Sequence, residues 1–248
     1  MLDEGQIREF AERGYVVIPQ VVPADLLAAA TRTIDRIVEA KPPGDEVRGP
    51  HFYFPGTAKV PSLLALLTET AAWSCLESLT GAGTLAVPEH VQVALNIPPF
   101  PHRPGRPHID GYPPLPDGRP GTFTMLACVL MSDQPGGDGG NLWTWPGTHL
   151  THARYFAEHG PDAFFEAAGY PPVGLPEPEQ VSGRAGDLLL AHFLLGHNIG
   201  GNLADTTRRA LYFRMKRHDH DPRWREFLRD AWLDYPPVRE RLRTALES

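Results

Sequence analysis

Arg106-Pro107-His108-Ile109-Asp110-Gly111-Tyr112 sets an imidazole and a carboxylate two positions apart, just beyond an apolar run. Side chains on an extended chain alternate faces, so His108 and Asp110 fall on one side. Such a pair can hold a divalent metal if a third ligand arrives from elsewhere, and Leu195-Gly196-His197-Asn198 offers one far downstream. Two imidazoles and a hard carboxylate suit a redox-active metal with open positions better than a closed structural zinc site. Taken alone, His-x-Asp is more often a polar turn than a metal site, so its weight comes from the surrounding sequence.

Upstream, His90-Val91-Gln92-Val93-Ala94-Leu95-Asn96-Ile97 reads as a strand that reaches the pair through a Pro-rich turn, 98–107. Downstream, a Pro-rich loop, 113–121, precedes an apolar strand from Thr122 to Ser132. Gly136-Gly137-Asp138-Gly139-Gly140 lacks the Lys-Ser/Thr of a phosphate-binding loop and reads as a hairpin turn into Asn141-Leu142-Trp143-Thr144-Trp145. Helical segments follow to about Ala168, then a Pro-rich excursion, 171–178. Gly186-Asp187 turns into the strand Leu188 to Ala191, Arg208 to Met215 forms another, and the remainder reads as helical.

The N-terminal third reads as scaffold. Asp3 with Gln6 makes a capping box for a helix over 3–13, closed by Gly14, and Tyr15-Val16-Val17-Ile18 is a short strand. Pro23 opens an amphipathic helix to about Ala40. Residues 41–60, including His51-Phe52-Tyr53-Phe54, read as an irregular segment, either a substrate-covering loop or a packed surface loop. Residues 61–80 return to helix, broken near Thr68 to Thr70. Medium strands with turn signals, helices at the ends and no regular βαβ alternation predict a mainly β fold with flanking helices, a jelly roll. We expect one domain over 1–248: a helical N-terminal flank, 1–83, a jelly-roll core at about 84–217 and C-terminal helices at about 222–248.

The chain has 248 residues, 42% of them hydrophobic, enough for a substantial core. Its net charge of −7 argues against nucleic acid or an anionic membrane as partner. Cys75 and Cys128 sit in apolar segments without metal-binding or redox spacing, which predicts two buried reduced thiols and fits a cytoplasmic protein. No secretion signal and no apolar run long enough to span a membrane is expected.

The chain resembles the phytanoyl-CoA dioxygenase-like family of iron(II)/2-oxoglutarate oxygenases. The likeness runs from Phe10-x-x-x-Gly14-Tyr15-Val16-Val17 and Val22-Pro23, through His108-Ile109-Asp110 and Trp145-Pro146-Gly147-Thr148-His149, to Gly186-Asp187-Leu188-Leu189-Leu190, His197, Asn202 and Arg208-Arg209-Ala210. Thr148 stands where that family has Ser. The resemblance implies a cupin-like double-stranded β-helix with iron held by His108, Asp110 and His197, and 2-oxoglutarate anchored by Arg208. It implies dioxygen as the third reactant, with succinate and carbon dioxide formed as substrate is oxidised. A planar guanidinium is the group suited to a carboxylate. Arg208 and Arg209 must face opposite ways, and spacing alone does not choose between them. Relatives that halogenate lack the carboxylate ligand; the presence of Asp110 favours hydroxylation or a related oxidation.

His102, Arg103, Arg106 and Arg119 surround the motif, which points to a small-molecule substrate of anionic character; solvated loop charges would look the same. His149 is expected to brace the turn after Pro146-Gly147, and His218-Asp219-His220-Asp221 to be a solvated turn. Trp143, Trp145, Phe52 and Tyr53 are read as pocket aromatics by a narrow margin over core packing. Between His192 and His197 the latter is the expected ligand, following a permissive Gly196. A zinc-binding or non-catalytic jelly-roll metabolite-binding protein is the alternative reading.

Overall fold

The computed structural model describes residues 1–166 and 170–247. Asp3 caps α1 (Glu4–Arg13): its carboxylate accepts from the Gln6 amide at 2.8 Å and the Gln6 side chain accepts from the Asp3 amide at 3.0 Å. Gly14, at φ 80°, ends the helix in the left-handed region and turns the chain into β1 (Tyr15–Ile18). After α2 (Ala24–Ala40) comes β2 (Gly49–Tyr53), which pairs with the strand Gln92–Ile97, β4. The irregular segment expected over 41–60 therefore contains an edge strand of the main sheet. The break between α3 (Pro61–Thr68) and α4 (Ala72–Thr80) falls at the expected place, where the Thr70 hydroxyl donates to the Leu66 carbonyl and accepts from the Ala72 amide.

The strands that follow are β3 (Leu85–Ala86), β4 (Gln92–Ile97), β5 (Met125–Leu130) and β6 (Leu142–Thr144). Beyond α5 (Thr148–His159) and α6 (Ala163–Glu166) lie β7 (Glu179–Gln180), β8 (Leu188–His192), β9 (His197–Ile199) and β10 (Arg208–Arg217), then α7 (Trp224–Arg229) and α8 (Pro236–Glu247). The expected helix to Ala168 runs past the described residues. The main antiparallel sheet has the order β1-β8-β5-β10-β4-β2, with β3 also on β10; a smaller sheet has the order β7-β6-β9. The fold is the expected jelly roll with flanking helices. Both outer strands of the main sheet, β1 and β2, come from the N-terminal flank, so that flank completes the barrel as well as covering it.

Strand parity divides the core. Leu211, Phe213 and Met215 of β10 pack with the helices in one apolar cluster, while Ala210 and Tyr212 belong to a second cluster on the small-sheet side. β5 is buried along its whole length, which explains why its sequence is continuously apolar rather than alternating. The Gly136–Gly140 run is not a hairpin: β5 pairs with β8 and β10, β6 with β7 and β9, so it carries the chain from one sheet to the other. Cys75 and Cys128 are free and buried, and burial pushes the Cys128 thiol up to about 12. No helix among the described residues is long and apolar enough to cross a membrane.

Candidate active site

His108 lies outside the named strands, but the chain there pairs with β9. The His108 amide donates to the His197 carbonyl at 2.9 Å and the His197 amide to the His108 carbonyl at 3.1 Å. This reciprocal bridge sets the two imidazoles side by side, their centroids 4.4 Å apart. Asp110 Oδ1 lies 3.6 Å from His108 Nε2 and 4.0 Å from His197 Nε2. The potential ligand atoms of all three residues lie within 4.8 Å of one another, so the structure brings together the two halves of the sequence-level constellation.

The protonation states suit a cation. His197 Nδ1 sits 3.0 Å from the Leu195 carbonyl, a contact that places its proton there and leaves Nε2 with a free lone pair. Burial first, and then His108, push the His197 imidazole down to about 4, so it is neutral at pH 7. Burial alone would raise the Asp110 carboxyl, but His108, His197 and Arg214 outweigh it and hold the group well below the ordinary carboxylate range. An ionised carboxylate and imidazole lone pairs are the donor set a divalent transition metal requires.

The turn that delivers His197 is braced from the Trp145-Pro146-Gly147-Thr148 element. The Thr148 hydroxyl donates to the Trp145 carbonyl at 2.6 Å and accepts from the Gly196 amide at 2.9 Å, while the Trp145 amide donates to the Gly196 carbonyl. Gly196 is needed for space rather than for an unusual backbone angle. A Cβ there would stand 3.0 Å from Tyr170 Oη and 3.2 Å from both Pro107 and Thr148. The Asn198 side chain donates to the carbonyls of Pro104 and Arg106, tying down the loop that carries His108. Asn202 donates to the carbonyls of Asn96 and Thr206.

His192 is not available as a ligand. Its Nε2 lies 2.7 Å from the Ala231 carbonyl, its Nδ1 accepts from the Leu194 amide at 2.9 Å, and the ring stacks on Tyr235. His149 is also buried; it braces α5 against α1 through Nε2 and the Ala11 carbonyl rather than bracing its own turn. The expected solvated turn at His218–Asp221 is corrected at its centre. His220 is 1% exposed, with Nδ1 2.8 Å from Asp234 and Nε2 2.9 Å from the Thr122 hydroxyl. Its immediate neighbours are charged, which hid a buried polar brace from a composition-based reading.

Arg208 and Arg209 separate as strand parity demands. Arg209 faces the helices and pairs with Asp35 of α2 at 2.6 Å. Arg208 is 5% exposed, and its Nε donates to the Gly140 carbonyl at 2.6 Å. Among the described residues no carboxylate pairs with it. Arg208 lines the same cavity as His108, Asp110 and His197, a space of about 540 Å³ counting its open mouth. Phe52 is the single member of the four candidate aromatics on that lining; Trp145 is core, and Tyr53 is buried with its hydroxyl donating to the Lys41 carbonyl. Gln92, Tyr212 and Arg214 also line the cavity and were missed at the sequence level. The signal for Tyr212 and Arg214 was present, since both share the parity of Arg208 on β10.

No protein-family profile matches the chain, and no curated protein matches it. Solved structures do. HygX from Streptomyces hygroscopicus, with nickel and 2-oxoglutarate bound, is 18% identical with a TM-score of 0.62, the match covering 88% of each chain. The non-heme alpha-ketoglutarate-dependent epimerase SnoN from nogalamycin biosynthesis is 23% identical with a TM-score of 0.62, over 86% of this chain and 82% of SnoN. The carbocyclase SnoK of the same biosynthesis is 21% identical with a TM-score of 0.58, over 87% of this chain and 84% of SnoK. At these identities the likeness is one of architecture: the chain shares the jelly-roll fold of these solved structures.

Proposed function

We propose that the protein is an iron(II)- and 2-oxoglutarate-dependent oxygenase, with His108, Asp110 and His197 as metal ligands and Arg208 as the anchor of the 2-oxoglutarate carboxylate. The observation that carries this reading is the meeting, in one cavity, of three convergent ligand atoms and a buried arginine without a carboxylate partner. A buried, unpaired guanidinium is costly unless an anion completes it. Binding of nickel or iron with 2-oxoglutarate or alpha-ketoglutarate by the solved neighbours HygX and SnoN supports the same assignment.

When bound, iron, 2-oxoglutarate and dioxygen together supply an oxidant able to break an unactivated C–H bond, with succinate and carbon dioxide as co-products. The chain's own residues prepare that chemistry. The Leu195 carbonyl fixes the His197 tautomer, and the His108–His197 bridge fixes the spacing of the two rings. The Gly140 carbonyl orients the Arg208 fork, while Leu126, Leu142 and Phe52 give the cavity apolar walls. Hydroxylation of a small metabolite is the reaction we favour, because Asp110 is present where halogenation would need a vacancy. The likeness to phytanoyl-CoA dioxygenase-like proteins belongs to this proposal and implies no acyl-CoA substrate. For an anionic substrate the available cations are few: Arg119 is engaged by Asp117 and Asp221, and Arg103 pairs with Asp138.

Anaerobic addition of iron(II) and 2-oxoglutarate tests the assignment, with a visible charge-transfer band as the expected result. Under air, slow succinate formation should follow and should vanish in folded His108→Ala. A zinc-binding or non-catalytic jelly roll would give neither the band nor succinate. Wild-type succinate production by the His108→Ala protein would sink the metal assignment.

A further inference from the structure

Asp110 has two oxygens, and the structure treats them differently. Oδ1 faces His108 and His197. Oδ2 faces Arg214 of β10, whose Nε donates to it at 3.1 Å and whose Nη2 lies 2.9 Å away. Both nitrogens of one edge of the guanidinium therefore address a single carboxylate oxygen. The other edge is fixed as well: Nη1 donates to Gln92 Oε1 at 2.9 Å, and the guanidinium carbon lies 5.7 Å from the centre of the Phe123 ring. Gln92 is set by register, since its own residue pairs with Tyr212, two positions before Arg214 on β10.

A carboxylate can bind a metal through one oxygen or through both. The difference matters at this site. With two imidazoles and one carboxylate oxygen, an octahedral ion keeps three free positions, enough for a chelating 2-oxo acid and one further molecule. A second carboxylate oxygen would occupy one of them. Resting on the metal-site reading above, we infer that Arg214 is a positioning residue that holds Asp110 to one-oxygen ligation and so keeps a coordination position open for the co-substrate. The arrangement also assigns two tasks to one face of β10: Arg208 addresses the free carboxylate of the co-substrate, and Arg214 addresses the far oxygen of the protein's own ligand. The positive charge of Arg214 beside Asp110 further tempers the pull of the site on a cation while favouring an anionic co-substrate.

Cobalt(II), whose visible bands report coordination number, is the probe under anaerobic conditions, followed by titration with 2-oxoglutarate. Arg214→Met is expected to bind cobalt at least as tightly as wild type, because a neighbouring positive charge is gone, to show altered cobalt bands, and to bind 2-oxoglutarate about ten-fold more weakly, an effect of the order that losing an outer-shell partner of a metal ligand has on the function of a site. Arg214→Lys, which keeps the charge but loses the fork, is expected to fall between the two. Gln92→Leu leaves Arg214 in place and should move the same readouts in the same direction by a smaller amount, which keeps the test open if Arg214→Met folds poorly. Wild-type cobalt bands and wild-type 2-oxoglutarate affinity in Arg214→Met, or in both Arg214→Lys and Gln92→Leu, would overturn the inference and leave the metal site standing. Failure of the wild-type protein to bind cobalt at all would overturn the site reading and this inference with it.

Discussion

Replacing Arg208 by Lys keeps a cation in the cavity but removes the planar fork, and the structure indicates what that loses. Arg208 Nε is already committed to the Gly140 carbonyl at 2.6 Å, so an incoming carboxylate must be met by the terminal nitrogens, beside the Tyr212 hydroxyl. A lysine has one nitrogen for both tasks: it can satisfy the Gly140 carbonyl or meet the carboxylate squarely, but not with two parallel bonds. One charge-assisted hydrogen bond is worth about 1.5–3 kcal/mol, so the dissociation constant for 2-oxoglutarate should rise about ten- to hundred-fold. Iron affinity should change little, because Arg208 belongs to the cavity wall and not to the ligand set. The assay is an anaerobic 2-oxoglutarate titration of the iron-loaded protein, followed by its charge-transfer band, with Arg209→Lys as the control. Arg209 pairs with Asp35 on the helical side and does not line the cavity, so its replacement should leave the titration within about two-fold of wild type, as expected of a half-buried ion pair outside the site. An unchanged titration in Arg208→Lys, or equal weakening in Arg209→Lys, would refute the reasoning.

Three further outcomes are expected. His197→Ala should lose iron, whereas His192→Ala should keep it and lose about 2–4 kcal/mol of stability, because it removes the Tyr235 stacking partner and two buried hydrogen bonds; metal analysis of the folded variants decides, and the reverse pattern refutes the assignment. Burial pushes His152 and His192 down to about 4, so between about pH 6.5 and 4 the unfolded chain binds protons that the native chain does not. Stability is therefore full above about 6.5 and falls with pH, by about 2 kcal/mol per histidine at pH 5, and urea unfolding of the metal-free protein at pH 7.5 and 5 should show it; equal midpoints would count against buried neutral imidazoles. Gly200→Ala would drive a Cβ into the Asn141 carbonyl and put it 2.8 Å from the Trp143 ring, forcing β9 from β6. It should cost about 1–3 kcal/mol and weaken metal binding, as read by thermal melting and cobalt titration; a variant with wild-type melting and affinity would show that the sheet yields without disturbing His197.

The parts of the fold legible in the sequence were those in which a local pattern has one meaning. The Asp3–Gln6 capping box, Gly14 and the break at Thr68 to Thr70 are signals of this kind, and the structure carries each of them. The pairing of β2 with β4 is not legible in the sequence because Gly49-Pro50, poor strand formers, open the strand and leave only a short aromatic run, His51-Phe52-Tyr53. Its place at a sheet edge tolerates a proline that a central strand would not. The Gly136–Gly140 run illustrates a second limit, since glycines mark a change of direction without saying which strand the chain meets next. At the site, His108, Asp110 and His197 could be named from order and spacing. Strand parity put Arg214 on the face of Arg208, but not its partner, because the ion pair with Asp110 joins β10 to a loop far away in the sequence.

The main-chain bridge between His108 and His197 also makes the candidate site a latch. The stretch from Pro98 to Gly121 contains no named helix or strand, and it is fastened to the barrel by the Phe100–Asn202 and His108–His197 bridges and by the Asn198 side chain. A cation held by His108 and His197 would cross-link the same two pieces of chain that the bridge already joins, so occupancy of the site and docking of the loop become one equilibrium. By mass action, an ion that recognises only the docked arrangement lowers the population of the open one in proportion to its own saturation. Amide exchange at His108 and His197 would then follow metal concentration while the amides of β5 and β8 followed global unfolding, and the loop would serve as a gauge of how full the site is.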